Sequence, residues 1–81
     1  MIYVIINDAE TARLGKNIYM RVIEVKQGVY QIEICDTLIM ATHFDNTVVA
    51  EQAYYALLIN GYKHCHVAVD RAACALERNV P

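Results

Sequence analysis

Apolar residues occupy every position from 1 to 6, with isoleucine and valine prominent. An uninterrupted apolar run of this length is typical of a strand covered on both faces, so we place it in the centre of a sheet. Residues 7–15 then predict one short helical turn, because Asn7 or Asp8 can cap it and Gly15 stands where a left-handed stop would fall. A structured loop over the same residues is the alternative.

The next feature is a β-hairpin built from residues 18–26 and 29–35. Apolar and polar residues alternate along its second half, which is the pattern of a strand buried on one face, and Gly28 marks the turn. Residues 36–37 predict another turn. Residues 38–44 are then expected to return as the third strand of a meander.

Two registers fit this hairpin. A two-residue loop at positions 27–28 pairs Ile23 with Ile32, whereas a three-residue loop with Gly28 in a bulge pairs Val22 with Ile32. Turn chemistry favours the second register, because the glutamine at position 27 is poorly suited to the positive φ that the tighter turn demands.

The pattern becomes helical after residues 45–47, all three of which are helix-capping types, and Asn60-Gly61 ends the helix. One side of this predicted helix carries mostly small or β-branched residues that fit closely against a sheet: Val49, Ala50, Ala53, Ala56 and Leu57. The opposite side carries two aromatic residues, a leucine and a single charge: Tyr54, Tyr55, Leu58 and Glu51. One apolar face is therefore not the whole buried surface of this helix.

Residues 66–79 predict a second helix, because five apolar residues fall within one stripe about 100° wide. The alternation over residues 64–69 also fits a fourth strand. We therefore predict a single α+β domain over residues 1–81, with a three- to four-stranded antiparallel sheet and two helices packed on one face. A ferredoxin-like arrangement with residues 64–69 as a strand is the alternative.

Composition limits the functional classes. Hydrophobic residues make up 57% of the 81 residues, which exceeds the usual 45–50% and suggests a partner surface. The net charge is −2 and the cations are scattered, so the footprint of a DNA-binding protein is missing. No apolar stretch reaches the roughly 18 residues of a membrane span, and the start lacks the features of a signal peptide. The odd number of cysteines indicates free thiols in a reducing cytosol.

Three groups of residues invite a chemical interpretation. Histidine and cysteine cluster at His64, Cys65, His66 and Cys74, as zinc ligands can, but without paired zinc-ligand spacing. Cys35 and His43 are placed to meet across neighbouring strands, and so are the carboxylates of Glu24 and Glu33. None of these carries the signature of a catalytic site. We therefore expect no enzyme activity, no bound metal and no cofactor.

The tyrosines are the stronger functional feature, since six of the seven aromatic residues are tyrosine. Tyrosine combines a large apolar area with a polar tip and is enriched in the cores of protein interfaces. The predicted partner-binding residues lie on or just beyond the less core-like side of the first long helix: Glu51, Tyr54, Tyr55, Leu58 and Tyr62.

In the second half of the chain, residues 44–47 (Phe-Asp-Asn-Thr) lead into the predicted aromatic-bearing helix. A glycine-containing turn and a predicted polar helix that ends at residues 77–81 (Glu-Arg-Asn-Val-Pro) follow. This layout resembles the second half of small phage-encoded anti-CRISPR inhibitors of type I systems. The resemblance implies a non-enzymatic inhibitor in the host cytoplasm. It would dock on a crRNA-guided CRISPR-Cas complex and block target DNA binding or nuclease recruitment, and it identifies no site residue.

Three functional hypotheses follow from the sequence. The first is a binding inhibitor of a host protein complex, with no direct nucleic-acid or membrane contact. The second is a homodimer or larger homo-oligomer that buries the excess apolar surface against itself. The third is a small metal-binding domain that uses the histidine and cysteine cluster.

Overall fold

The computed structural model describes residues 1–71, which form a four-stranded antiparallel sheet with two helices. The elements follow in the order β1 (Tyr3–Asn7), α1 (Asp8–Leu14), β2 (Tyr19–Lys26), β3 (Val29–Cys35), α2 (Thr47–Ile59) and β4 (Cys65–Val69), with a short 3₁₀ turn (Leu38–Met40) before α2. The predicted fold class is confirmed.

The strands lie side by side in the order β3-β2-β1-β4, and every neighbouring pair is antiparallel. This is a Greek-key order, in which three consecutive strands are joined by short connections and the fourth returns beside the first. The ferredoxin-like alternative is wrong, because it separates β1 from β2 with a crossover helix. Here the short α1 leads directly back into an antiparallel neighbour.

Local capping defines both helices. The Asn7 side chain accepts a hydrogen bond from the Glu10 backbone N–H and begins α1, and Gly15 ends it at a φ of 72°. Asn46 begins α2 by accepting from the N–H groups of the second and third helical residues at 2.7 and 3.3 Å. Asn60 ends α2, so the predicted helical turn over residues 7–15 and the predicted first long helix both begin and end close to their expected residues.

The β2–β3 hairpin has the second of the two predicted registers, but the predicted three-residue loop with Gly28 in a bulge is wrong, because Lys26 pairs with Val29 across a two-residue loop. Val22 pairs with Ile32 and Met20 with Ile34, and Gly28 has a positive φ of 77°. The irregularity lies between Glu24 and Lys26, in the strand that leads into the turn. This extra residue shifts the register so that the apolar residues of both strands share one face.

The predicted third strand over residues 38–44 is wrong. Its first part is the 3₁₀ turn, and only Phe44 forms an isolated bridge, with Tyr3. The segment fills the gap where β1 and β2 diverge, because their ladder is limited to the pair Ile6–Tyr19. Thr42 reaches across that gap and its side chain hydrogen-bonds the backbone N–H and C=O of a β2 residue.

Residues 65–69 form an edge strand rather than the start of the second predicted helix, so the alternative interpretation of this segment is correct. The β4 ladder runs along the whole of β1, from Tyr3–Val69 to Asn7–Cys65. Pairing with a buried central strand therefore outweighs the helical spacing of this segment. The remainder of the predicted helix, residues 72–79, lies outside the described residues.

The core lies between α2 and one face of the sheet. β1 is buried on both faces, as predicted, because Val4 and Ile5 point in opposite directions and are 2% and 0% exposed. Val49 does not join the buried side of α2, since it is 45% exposed. The main cluster is formed by Ile5, Met20, Val22, Phe44, Ala50, Ala53, Leu57 and Cys65.

Candidate functional site

An open groove runs between α2 and the edge strand β4, with a volume of about 320 Å³. Its most prominent members are Tyr54 and Tyr55, whose rings meet edge to face with centroids 5.7 Å apart and planes inclined at 62°. Tyr55 is 60% exposed, whereas Tyr54 is half-buried and packs against the core. We call this feature the tyrosine groove. It is lined by Thr47, Glu51, Tyr54, Tyr55, Cys65, His66 and Val67.

The structure brings together three of the five predicted partner-binding residues. Glu51, Tyr54 and Tyr55 line the tyrosine groove. Leu58 is half-buried and lies one helical turn beyond Tyr54.

Tyr62 lies apart from that groove, because the chain turns back after α2. Its backbone N–H donates to the carbonyl of Leu57 at 3.0 Å, which helps to close the end of the helix. Its side chain packs against the core and lines a different groove of about 200 Å³, together with Ile34 of β3. Tyr62 therefore contributes to a neighbouring surface and to the core, and not to the tyrosine groove.

A histidine–aspartate pair borders the tyrosine groove. His66 Nδ1 lies 2.8 and 2.9 Å from the two carboxylate oxygens of Asp8, and so links β4 to the first residue of α1. Both side chains are about half exposed, so solvent screens the pair and limits its contribution to stability. The pair adds to the polar groups at this border, which also include Thr47 and Glu51.

The predicted histidine and cysteine cluster does not converge. Cys65 and His66 are consecutive residues of β4, so their side chains point to opposite faces of the sheet. Burial, together with the nearby charge of Asp8, raises the pKa of the Cys65 thiol, which disfavours the thiolate that zinc would need. Within residues 1–71 no three histidine, cysteine or acidic side chains are placed to hold a metal ion. Cys74 lies outside the described residues.

Cys35 and His43 do not meet. The Cys35 thiol donates to the backbone carbonyl of Tyr19, and burial raises its pKa. His43 instead has acceptors at both ring nitrogens, with Nδ1 2.9 Å from the Ala41 carbonyl and Nε2 3.0 Å from the buried carboxylate of Asp70. The expected thiol–imidazole pair is therefore absent from its predicted position.

The two carboxylates expected to face one another also lie apart. Glu24 pairs with Tyr30 and Glu33 with Arg21, which places the carboxylates on opposite faces of the hairpin. A side-chain hydrogen bond to Glu24 is the main cause of a raised pKa at Tyr30. Glu24 and Tyr30 line a second groove of about 250 Å³ on the other side of α2.

The sequence interpretation missed one surface, the exposed edge of β3. Ile34 is 49% exposed, although it lies on the face of β3 that was predicted to be buried. The reason is the position of α2, whose sheet contacts lie mainly on β1 and β4. Alternation along β3 revealed its apolar face, but only the tertiary structure shows that the helix does not fully cover it.

Comparisons with protein-family models, with curated proteins and with solved structures gave no match to this chain. Within residues 1–71, neither helix has the length and apolar character required to cross a membrane.

Proposed function

We propose that this chain is a non-enzymatic protein-binding module that docks on its partner through the tyrosine groove. The observation that carries the proposal is the aromatic pair of α2, in which an exposed Tyr55 ring rests edge to face on a half-buried Tyr54. The contact holds Tyr55 in place while leaving most of its surface accessible.

This arrangement has the physical properties of an interface anchor. Tyrosine loses little conformational entropy on binding, and a ring that is already supported loses less. Interfaces derive most of their binding energy from a few such aromatic anchors surrounded by a polar rim. Glu51 and the His66–Asp8 pair supply polar groups next to the anchor. The partner surface that fits is an apolar pocket bordered by hydrogen-bond donors.

The resemblance to anti-CRISPR inhibitors supplies the partner class for the first test. We propose that the chain is phage-encoded, acts inside the host cell, and binds a crRNA-guided CRISPR-Cas complex of type I. Docking on a protein subunit would block target DNA binding or nuclease recruitment. The support for this partner is the sequence similarity over the second half of the chain, and the support for the docking surface is the tyrosine groove.

The test is an affinity capture of the tagged chain from a lysate that expresses a type I surveillance complex, with the captured proteins identified by mass spectrometry. Recovery of Cas subunits at a fixed stoichiometry supports the proposed partner. Recovery of the tagged chain alone contradicts that partner for the system tested.

The docking surface is tested by Tyr55→Ala, which we expect to weaken binding of the captured complex about tenfold or more while leaving the thermal midpoint nearly unchanged. Tyr55→Phe retains the ring and is expected to bind more tightly than the alanine variant. Val49→Ala, which trims the other side of α2, is the matched control. Wild-type affinity of Tyr55→Ala would show that the partner binds elsewhere.

A further inference from the structure

Strand β3 is an open edge of the sheet. Within residues 1–71, its ladder partner is β2 and no other strand. It is seven residues long and contains neither proline nor lysine, two residues that commonly protect an edge from pairing. An edge of this length with unpaired backbone groups is a template for another strand.

The same strand presents apolar side chains that the fold leaves partly uncovered. Tyr30 and Ile32 are half-buried, and Ile34 is 49% exposed. All three lie on the face that carries α2, because Ile32 and Ile34 pair with the buried Val22 and Met20, and Tyr30 packs against the core cluster. An additional strand beside β3 would cover the outer flank of this apolar row.

The sequence of β3, Val-Tyr-Gln-Ile-Glu-Ile-Cys, is complementary to itself when a second copy runs antiparallel. A two-fold axis through Ile32, perpendicular to the sheet, places Tyr30 opposite Ile34 of the second copy on the α2 face. On the other face the same axis places Gln31 opposite Glu33, twice. An amide can donate to a carboxylate, so both faces are matched at once.

This complementarity depends on the register. An axis through Glu33 would bring two carboxylates directly together, which is destabilising. An axis through Gln31 would pair only five residues and place Glu33 against Val29. Only the axis through Ile32 uses all seven residues and leaves no like charges opposed. Within one chain, the Gln31 amide donates a hydrogen bond to the Glu33 carboxylate at 2.8 Å on the exposed surface. The two groups therefore lie on the same face and are accessible.

We infer that the occupant of this edge is a second copy of the chain, and that two β3 strands pair around Ile32 to form a continuous eight-stranded sheet. The inference goes beyond the proposed function and is independent of it, because the tyrosine groove lies at the opposite edge of the sheet, beside β4. In this dimer both tyrosine grooves remain open. The chain would therefore present two docking surfaces to its partners.

The experiment measures the dimer dissociation constant by sedimentation equilibrium for the wild type and three charge variants. Gln31→Glu places carboxylates opposite one another at two symmetric positions, and we expect it to weaken the dimer about fivefold or more. Gln31→Lys creates two lysine–glutamate pairs and should tighten the dimer by a similar factor. The swap Gln31→Glu with Glu33→Gln restores the matched pairs and should return the dissociation constant toward the wild-type value.

The controls separate register from net charge. Ala12→Glu and Ala12→Lys make the same charge changes on the exposed surface of α1 and should leave the dissociation constant unchanged. A wild-type chain that stays monomeric at millimolar concentration would overturn the inference. So would a dimer that Gln31→Lys weakens, or one that all three variants leave unaffected. Tyr55→Ala should dimerise normally, so failure of the docking proposal would not be confused with failure of this one.

Discussion

At the scale of single residues, Cys65 shows how position determines the chemistry of a side chain. The residue is 7% exposed and lies under α2, where burial and the charge of Asp8 raise its pKa. A reactive cysteine needs the opposite environment, one that stabilises the thiolate. Cys65 is therefore a small core residue, and its titration is linked to folding and not to reactivity.

This linkage predicts a pH dependence of stability. Because the folded-state pKa lies above the ordinary thiol value of about 9, the folded protein holds the proton more tightly than the unfolded chain. The contribution of Cys65 to stability is complete below that ordinary value and is lost as the pH rises through the folded-state pKa. We expect the free energy of unfolding to decline less steeply above pH 9 in Cys65→Ala than in the wild type.

Urea unfolding at several pH values checks this expectation. The comparison is between the slopes of the free energy of unfolding against pH, which a constant loss of stability in the variant does not change. Tyr30 also has a raised pKa, so its contribution to the stability of the fold is likewise lost as the pH rises. Tyr30→Phe in both backgrounds separates the two residues. Identical alkaline slopes for the wild type and Cys65→Ala would contradict the assignment.

His43 shows where reasoning from the sequence reaches its limit at this scale. Its predicted neighbour was a cysteine on an adjacent strand, but its observed partner, Asp70, is 27 residues away. No local pattern indicates a contact of that separation. By contrast, the cap of α2, Asn46, is one of the three consecutive residues 45–47 that the sequence offered as capping types, because a helix cap depends on groups within three residues.

At the scale of the secondary-structure elements, the separation of β1 and β2 is the feature that most changes the predicted fold. The two strands pair at Ile6–Tyr19 and then diverge. Thr42 compensates for part of the lost ladder, since its hydroxyl accepts from the N–H of Val22 at 2.8 Å and lies 3.2 Å from its carbonyl. One side chain thus takes the role of a backbone pair.

We expect Thr42→Val to destabilise the protein by about 1–3 kcal/mol, because the near-isosteric side chain leaves the backbone groups of buried Val22 without these bonds. Thr37→Val is the matched control, since Thr37 precedes the 3₁₀ turn and makes no capping hydrogen bond with its side chain. Chemical denaturation of both variants provides the measurement. Equal free energies of unfolding for Thr42→Val and Thr37→Val would show that the Thr42 hydroxyl contributes little to the stability of the fold.

The contrast between correct and incorrect elements has a physical basis. The ends of α2 follow from capping, which acts over a few residues, whereas the predicted hairpin register is reached through a bulge in β2 and not through the predicted three-residue loop. The segment 38–44 has a strand-like composition, but its first part forms a 3₁₀ turn and its last part bridges the gap between β1 and β2. Residues 65–69 became a strand because β1 offered a full antiparallel edge, and that is a property of the assembled sheet.

The tyrosine groove was foreseen only in part for the same reason. Helical spacing placed Glu51, Tyr54 and Tyr55 on one side of α2, and the structure keeps them together. The other wall of the groove comes from β4, which follows α2 in the chain and reaches it through the Greek-key return. Its position could not be inferred while residues 64–69 fitted both a helix and a strand.

At the scale of the whole molecule, the one long helix within residues 1–71 is too small to cover a four-stranded sheet. The contacts of α2 with the sheet fall mainly on β1 and β4, so β3 carries apolar residues that the described part of the chain leaves exposed. The hydrophobic content of 57% is the compositional sign of this surplus. A molecule of this kind gains stability when a second surface covers the exposed row.

If the covering surface is a second copy, thermal stability must depend on protein concentration. A dimer that dissociates on unfolding gains about 1.4 kcal/mol for each tenfold rise in concentration, or about 0.7 kcal/mol per chain. For a domain of this size that corresponds to a rise of about 3 °C or more in the thermal midpoint per tenfold increase. Calorimetry at a series of protein concentrations above the dimer dissociation constant measures this rise directly.

Gln31→Glu makes this measurement specific to β3. Because the variant dimer is expected to be about fivefold weaker or more, the rise of its midpoint should begin at a correspondingly higher concentration, and at any one concentration in that range its midpoint should lie below that of the wild type. At high dilution, where both chains are monomers, the two midpoints should approach each other, because Gln31 is exposed and contributes little to the core. A wild-type midpoint that is independent of concentration would mean that the surplus apolar surface of β3 is left for a different protein.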